Sequence, residues 1–231
     1  MVIGTGLLGN TFQEYKHNNN ILIFASGVSN SNETDEKNFE REKHLLLESI
    51  LDNQDKTLVY FSSCDVMYAQ NINKNYYFHK LEMETLIQKN TKKYYIFRLP
   101  QIIGHSSNQN SLINFFIRSI SEDKKISVWK YAYKNLIDIE DVSKIVKHYI
   151  DNDIKEDSVV NLINPYYYSI EEIIKTIEVF LDKKAIIDII DKGFQPSYDY
   201  NHIIDDINID FNNDYLKQSI FKNYDKILNK K

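Results

Sequence analysis

The opening segment, VIGTGLLGNTFQEYKHNNNILIFASG, constrains the fold of this chain more than any other part of the sequence. Gly4, Gly6 and Gly9 follow a short apolar run and precede a helix-forming stretch, which gives the order strand, glycine turn, helix. In such a turn the first glycine allows a sharp bend, the second lets the backbone approach a pyrophosphate, and the third allows close helix packing. The pattern predicts a dinucleotide-binding turn; the alternative is a glycine turn needed only for packing.

The distance to the next strand is shorter than a complete dinucleotide fold requires. Such a fold supplies a second strand that ends in an acid, but the next strand-like run, Ile21 to Ala25, begins only a short helix after Gly9. The nearest acid, Glu14, lies inside the predicted helix from Leu7 to Tyr15. We therefore expect a sheet that is shortened at its second strand.

Strand-like and helical segments alternate over the first hundred residues. Buried strands are predicted at Ile21 to Ala25, Thr57 to Ser63 and Lys93 to Pro100, with helices between them. This alternation predicts an α/β fold with a doubly wound parallel sheet, whose ligand lies beyond the carboxyl ends of the strands. Further along, Ser169 stands three residues before Glu172, which is the signature of a capping box and predicts a helix start.

Composition narrows the class of protein. Hydrophobic residues make up 42% of the chain and charged residues 26%, as in folded globular proteins, and no apolar run is long enough to span a bilayer. The net charge of -5 argues against a nucleic-acid binder. A single cysteine, Cys64, excludes an internal disulfide and a cysteine-based metal cage, so no metal is expected. Since the N-terminus lacks a signal-type segment, we expect a cytoplasmic protein without a membrane partner.

Two further groups of residues point to chemistry. Tyr76 and Lys80 stand four apart on a predicted helix, so their side chains share one face, and a lysine ammonium near a phenol favours the phenolate. Ser62 and Ser63 end a buried strand, where a hydroxyl can donate to a substrate oxygen. In a chain with 17 tyrosines the Tyr-x-x-x-Lys spacing also occurs by chance, and a serine at a strand end also serves as a cap.

The ordered motifs resemble one known family over nearly the whole chain. The motifs are the glycine turn, then FASG, FSSCDVMY, YYFHK, FRLPQIIG, NLIDIEDV and NLINPYYYS. In this order they resemble the extended short-chain dehydrogenase/reductase family, in its NAD-dependent epimerase/dehydratase branch that acts on nucleotide sugars. The resemblance implies a Rossmann-type core over residues 1–160 and a small C-terminal substrate-binding lobe over residues 161–231, interleaved with the core.

The resemblance also implies roles for particular residues. Tyr76 would be the acid-base residue, Lys80 would lower its pKa and touch the nicotinamide ribose, and Ser63 would bind the reacting oxygen. Cys64 completes the expected catalytic set. The implied cofactor-binding residues are Gly4, Gly6, Leu7, Leu8, Gly9, Ala25, Ser26, Gly27, Lys80 and Pro100. The implied substrate-binding residues are Ser63, Asp65, His105, Asn110, Asn114 and Arg118.

The residues beside Ser63 leave the reaction type open. Dehydratases of the family carry an Asp-Glu pair after the catalytic hydroxyl, whereas Cys64 and Asp65 stand here. The sequence Ser-Ser-Cys resembles GDP-fucose synthases, in which the cysteine is one of two bases, but the partner histidine falls at Leu112; the alternative for Cys64 is a small buried side chain. We expect an epimerase or reductase that works through a 4-keto sugar, in surface polysaccharide synthesis. An NADPH-dependent 4-ketoreductase and a non-catalytic nucleotide-binding module are the alternatives.

The cofactor's adenosine end and the oligomeric state stay open at this point. NAD and NADP are both compatible with the sequence. The adenosine would lie on an open surface, or under a partner chain, or the fold would retain only nucleotide-sugar binding. Family members often pair through helices that flank the sheet, which leaves a homodimer as one alternative.

Overall fold

A computed structural model describes residues 1–106 and 108–228 of the 231-residue chain. The helices of these residues are α1 (Leu7–Thr11), α2 (Glu36–Leu51), α3 (Ala69–Ile72), α4 (Asn75–Asn90), α5 (Leu112–Ser121), α6 (Ile139–Asp151), α7 (Ile170–Leu181) and α8 (Tyr215–Leu228). The strands are β1 (Val2–Ile3), β2 (Ile21–Phe24), β3 (Thr57–Ser63), β4 (Tyr94–Leu99), β5 (Gln101–Ile103), β6 (Ile126–Trp129), β7 (Tyr133–Lys134), β8 (Leu136–Asp138), β9 (Ser158–Asn161), β10 (Tyr168–Ser169) and β11 (Ile187–Ile190). Three-residue-per-turn helices cover Gln13–His17, Cys64–Tyr68 and His202–Asp206.

The chain divides into two compact units, and neither is one continuous stretch. The first comprises residues 1–99 and 142–162, and the second comprises residues 100–141 and 163–231. The assignment of residues 161–231 to a substrate-binding lobe stays a prediction.

A five-stranded parallel sheet forms the centre of the first unit. Its strand order is β1-β2-β3-β4-β9, and β1 pairs directly with β2, with Val2 opposite Ile23. The parallel sheet of the Rossmann type, shortened at the second strand, is thus confirmed. Since β1 is the terminal strand of the sheet in this order, the glycine turn that follows it lies beside β2 and not between two neighbouring strands.

Helices cover both faces of this sheet, because successive strand side chains point to opposite sides. Leu22, Leu58 and Ile96 pack with residues of α2 and α4 in one apolar cluster. On the other face the Phe97 ring meets Tyr149 of α6, with ring centroids 5.5 Å apart. Strands buried on both sides are typically continuous apolar runs, and the sequences of β2 and β3 are largely such runs.

The predicted helix from Leu7 to Tyr15 is shorter in the structure. Helix α1 ends at Thr11 because Phe12 leaves the helical conformation, with φ -106° and ψ 24°. The Phe12 side chain is fully buried and its ring stacks on Phe61 of β3 at 5.4 Å. A tighter helical turn, Gln13–His17, then returns the chain to β2. We infer that the burial of the Phe12 ring against Phe61 stabilises the chain more than a further turn of α1 would.

In its described residues, the second unit contains three two-stranded pairs and the helices α5, α7 and α8. Strands β5 and β8 pair parallel, β6 and β11 pair parallel, and β7 and β10 pair antiparallel. Helix α7 packs against α5 and α8 around an apolar core. The capping box is confirmed: the Glu172 N–H donates to Ser169 Oγ at 3.1 Å, and the Ser169 N–H donates to Glu172 Oε2 at 2.7 Å. Among the helices in the described ranges, none has the length and apolarity needed to cross a bilayer.

Candidate active site

The glycine turn contains two tightly packed glycines and one that faces open space. Gly4 has φ +123°, in the left-handed region that favours glycine, and a Cβ there would collide with the Ala25 carbonyl. A Cβ on Gly9 would collide with the Gly4 carbonyl, so helix α1 packs directly on the turn. At Gly6, by contrast, a Cβ would meet no atom within 4 Å. Gly6 thus offers an open stretch of backbone, and Leu7 and Leu8 follow it as half-buried residues that begin α1.

The two serines at the end of β3 have different surroundings. Ser62 is buried and donates to Glu84 Oε1 of α4 at 2.6 Å. Arg98 holds the same carboxylate through two hydrogen bonds, at 3.0 Å and 2.6 Å. Ser63 is half-buried, and its Oγ accepts a hydrogen bond from the Asp65 N–H at 3.2 Å. Since that bond leaves the Ser63 hydroxyl proton available, Ser63 is the better candidate of the two to donate to a substrate oxygen.

The Cys64 side chain lies in the interior of the first unit, as a packing residue does. Its side chain is fully buried, and its Sγ donates to the Arg98 carbonyl at 3.2 Å. Burial, followed by the neighbouring Asp65 carboxylate, raises the pKa of the Cys64 thiol well above its ordinary value. A base in proton exchange needs an accessible thiolate. These surroundings therefore favour a packing role, and the catalytic role of Cys64 stays a prediction.

Helix α4 brings Tyr76 and Lys80 to one side, as their spacing predicts. The Lys80 ammonium lies 5.8 Å from the Tyr76 ring centroid, and the Lys80 side chain is 3% exposed. Next to Tyr76, the Tyr77 hydroxyl donates to Asp65 Oδ2 at 3.2 Å, which ties α4 to the turn after Ser63. Tyr76 itself packs against the small apolar cluster of that turn. The structure thus brings the predicted acid-base pair and the Ser63–Asp65 turn into one part of the first unit.

The pKa of the Tyr76 phenol lies above its ordinary value. Removal from water is the largest cause, the Lys80 ammonium acts in the opposite direction, and the carboxylates of Glu42 and Asp65 raise the pKa further. In this arrangement Tyr76 is protonated at neutral pH. The lysine lowers the phenol pKa as expected, but burial and two carboxylates outweigh it.

Sequence reasoning missed the group that holds Lys80. Glu42 of α2 is fully buried, and its Oε1 accepts hydrogen bonds from the Lys80 ammonium at 2.9 Å and from the Tyr60 hydroxyl at 2.7 Å. Its Oε2 accepts a hydrogen bond from the Val28 N–H at 2.6 Å and lies 3.0 Å from His79 Nε2. The signal was present in the sequence: Glu42 stands three residues after Phe39 and four before Leu46, on the buried stripe of α2.

The predicted cofactor-lining segment, residues 25–27, lies against the Glu42–Lys80 ion pair. Ala25, Ser26 and Gly27 follow β2 and are half-buried. A Cβ on Gly27 would lie 2.7 Å from Lys80 Nζ and 2.8 Å from Glu42 Oε1. The segment therefore adjoins both the glycine turn, through Ala25, and the lysine. Pro100, the remaining predicted cofactor residue, is half-buried at the junction of β4 and β5.

Residues 1–106 lack the second-strand acid that usually binds the adenosine ribose of a dinucleotide. Within residues 1–106, β1 connects to β2 through α1 and one tight helical turn, with no strand between them. Glu14, the nearest acid, lies in that turn and pairs with Lys147 of α6 at 2.5 Å. The backbone at Gly6 is thus open to a pyrophosphate, and residues 1–106 do not include a second-strand acid of the kind that binds the ribose 2′-hydroxyl.

The predicted substrate residues of the second unit differ in their surroundings. Asn114 is buried, and its side-chain amide donates to the carbonyls of Ser106 and Asn108 at 3.2 Å and 2.7 Å. His105 and Asn110 are exposed. Arg118 is half-buried on α5, and its buried Nε has no hydrogen-bond partner among the residues that the structure describes. The substrate roles of these four residues stay predictions.

The site contains no arrangement typical of a metal centre. Within residues 1–106 and 108–228, no group of three or more histidine, cysteine or acidic side chains is placed to hold a metal ion.

Comparison with known proteins decides the family. The profile of the NAD dependent epimerase/dehydratase family matches residues 10–162, about two thirds of the chain. The chain belongs to the NAD dependent epimerase/dehydratase family. Its cofactor class is therefore a nicotinamide dinucleotide, in keeping with the open backbone at Gly6. No curated protein sequence matches the chain.

Solved structures of epimerases and reductases share the fold of this family member. RMD from Pseudomonas aeruginosa, complexed with NADPH, has a TM-score of 0.69 at 16% identity, over 89% of this chain and 81% of that one. The UDP-N-acetylglucosamine 4-epimerase of Methanobrevibacter ruminantium, in complex with UDP-N-acetylmuramic acid, has a TM-score of 0.71 at 14% identity, over 92% and 77%. The dTDP-4-dehydrorhamnose reductase of Bacillus anthracis, in complex with NADP, has a TM-score of 0.70 at 14% identity, over 95% and 85%. At these identities the likeness concerns the fold.

Proposed function

We propose that this family member is an NAD(P)-dependent enzyme that epimerises or reduces a nucleotide-activated sugar through a 4-keto species. The supporting observation is the Tyr76–Lys80 pair on α4, held beside the Ser63–Asp65 turn and the Gly27 segment. Similar structures include enzymes named for nucleotide sugars, among them a 4-epimerase and a 4-dehydrorhamnose reductase. A role in surface polysaccharide synthesis, a cytoplasmic location and a homodimer stay predictions.

The proposed chemistry needs three actions from this chain. Tyr76 exchanges a proton with the sugar oxygen, Ser63 donates a hydrogen bond to that oxygen, and Lys80 fixes the ribose of the bound nucleotide while its charge favours the phenolate. The open backbone at Gly6 receives the pyrophosphate. When bound, the nicotinamide supplies the hydride acceptor or donor. The protein thus contributes position and proton transfer.

Two measurements test this proposal. The first is mass spectrometry of small molecules released when the purified protein is denatured, where we expect a nicotinamide dinucleotide and a nucleotide sugar. The second is turnover of a panel of UDP-, GDP- and dTDP-sugars and their 4-keto forms. We expect Tyr76→Phe to lower turnover about 100-fold or more with cofactor affinity retained. Tyr95→Phe, which removes a buried hydroxyl bonded to the Tyr149 carbonyl, is the matched control. Equal turnover in both variants would contradict the role of Tyr76.

Two alternatives have distinct outcomes. An NADPH-dependent 4-ketoreductase consumes reduced cofactor in proportion to the keto sugar, whereas an epimerase recycles it. A non-catalytic nucleotide-binding module is favoured by one observation, the direct pairing of β1 with β2 without the usual acid. For such a module, no cofactor is released on denaturation and Tyr76→Phe leaves biological activity intact.

A further inference from the structure

Glu42 is a buried charge in a position where an apolar residue is expected. It lies on the stripe of α2 that faces the sheet, with Phe39 and Leu46 as buried neighbours. A buried carboxylate is costly unless several donors compensate it. Lys80, Tyr60, His79 and the Val28 backbone surround its two oxygens. Although burial alone would raise the pKa of Glu42, Lys80 and these hydrogen bonds bring it well below its ordinary value, so the carboxylate is ionised.

Lys80 is held at a fixed point between two tyrosines. Among the described residues its ammonium donates to Glu42 Oε1 at 2.9 Å and to the Tyr60 hydroxyl at 3.0 Å. The ammonium lies 5.1 Å from the Tyr60 ring centroid and 5.8 Å from that of Tyr76. An unbranched lysine side chain has considerable rotamer freedom, which these contacts remove. The position of the ammonium beneath Tyr76 therefore depends on a residue of another helix.

We propose that Glu42 is a positioning residue that fixes Lys80 beneath Tyr76 and offsets the charge of its ammonium, so that Tyr76 meets its substrate as the protonated phenol. The inference rests on the proposed role of Tyr76 in proton transfer. A lone ammonium would favour the phenolate, whereas an ion pair has no net charge and favours it less. When the carbonyl carbon of the substrate accepts a hydride from a bound reduced nicotinamide, protonated Tyr76 can give its O–H proton to the carbonyl oxygen, which gives the alcohol. The phenolate left behind then takes a proton back from water.

Three charged side chains act on the Tyr76 phenol, and each comes from a different part of the first unit. Lys80 acts from the same helix, Glu42 from α2 and Asp65 from the turn after β3. The Tyr77 ring lies beside Tyr76, with centroids 5.1 Å apart. Glu42 contacts the lysine directly, with Lys80 Nζ 2.9 Å from Glu42 Oε1. Its removal should therefore change both the charge near Tyr76 and the anchoring of Lys80.

The test follows the titration of Tyr76 directly by NMR, so it does not depend on turnover. The protein is labelled with ring-carbon-labelled tyrosine, and Tyr76 is assigned by the signal that Tyr76→Phe lacks. In Glu42→Gln, where the side-chain oxygen can still accept from Lys80, we expect the Tyr76 titration to move to lower pH by about one unit. In Lys80→Met we expect it to move to higher pH. Glu84→Gln is the matched control, because Glu84 is also a buried glutamate with a cationic partner, Arg98; its Tyr76 titration should stay in place.

A Tyr76 titration in Glu42→Gln that is unchanged, or that moves to higher pH, overturns the proposal. If Glu42→Gln does not fold, the double variant Glu42→Gln/Lys80→Met removes both charges of the pair. Its Tyr76 should titrate at lower pH than in Lys80→Met alone, and an equal or higher value overturns the proposal. Loss of the proposed enzyme function would instead appear as equal turnover of Tyr76→Phe and its control, whatever the titration shows.

Discussion

At the scale of single residues, the environment of Cys64 favours a packing role over the predicted catalytic role. Its thiol is buried and bonded to the Arg98 carbonyl, and its pKa is raised. We expect Cys64→Ala to keep turnover within about threefold and to lose about 1 kcal/mol of unfolding free energy. In the folded protein an alkylating reagent should modify Cys64 slowly, and rapidly only in denaturant. Prompt alkylation of folded protein with loss of turnover would contradict this placement.

The buried Glu42 carboxylate should also affect how the unfolding free energy depends on pH in acid. Its pKa is lower in the folded protein than in the unfolded chain, where it is about 4.3. The stability it contributes is therefore fully present above that value and is lost as the pH falls through the folded pKa. Between about pH 5 and pH 2, the unfolding free energy of the wild type should fall more steeply than that of Glu42→Gln, by up to about 1.4 kcal/mol per pH unit.

Urea unfolding at a series of pH values measures this difference. Subtracting the Glu42→Gln curve from the wild-type curve removes the contribution of the other carboxylates. Glu40→Gln, on the exposed side of the same helix, is the control for loss of a charge. Parallel curves for the wild type and Glu42→Gln would show that the buried carboxylate is not the ionised group that its contacts imply.

The residues that sequence reasoning could find are those whose spacing lies within one element. Tyr76 and Lys80 share a helix face because they stand four apart, and Ser63 ends a strand. The partner of Lys80 was not predictable in this way, since Glu42 comes from a different helix and its contact depends on how α2 and α4 pack. An acid on the apolar face of a helix indicates a buried carboxylate, but it does not indicate which residue that carboxylate contacts.

At the scale of elements, two glycines of the turn are expected to have different roles: Gly4 is needed for the fold, and Gly6 for cofactor binding. A Cβ on Gly4 collides with backbone and φ is +123°, whereas a Cβ on Gly6 would point into open space at φ -76°. We expect Gly4→Ala to lower the unfolding free energy by about 2 kcal/mol or more. Gly6→Ala should leave it within about 0.5 kcal/mol of the wild type.

Cofactor titration completes that comparison. A methyl group on Gly6 occupies the open backbone where a pyrophosphate would approach, so Gly6→Ala should weaken NADH binding about tenfold or more, measured by calorimetry. Denaturant curves of the same samples show whether the fold is intact. Unchanged affinity in a folded Gly6→Ala protein would mean that the pyrophosphate does not lie over this turn.

Elements with continuous apolar runs were the most predictable. Strand β3 covers Thr57–Ser63 as expected, and α4 lies between β3 and β4 where a helix is predicted. Helix α1 was predicted too long, because the burial of Phe12 against Phe61 is a contact between distant residues that no helical period reveals. In the second unit, β6 and β11 pair across more than fifty residues, which local patterns do not encode.

At the scale of the whole molecule, the order of strands in the sheet bears on cofactor choice. In the described part of the chain, β1 pairs directly with β2, and no strand supplies an acid to the ribose 2′-hydroxyl. In the complete fold that acid favours NAD, and an arginine nearby accommodates the 2′-phosphate of NADP. We therefore expect NADH and NADPH to bind with affinities within about tenfold of each other.

Calorimetric titration with both reduced dinucleotides, and with reduced nicotinamide mononucleotide, measures this expectation. The mononucleotide lacks the adenosine end, so its affinity reports how much of the binding comes from the glycine turn and the Lys80 region. Gly6→Ala is the control, because it should weaken both dinucleotides equally. A preference above about 100-fold for one dinucleotide would mean that groups other than a second-strand acid select the cofactor, and would exclude an adenosine left on an open surface.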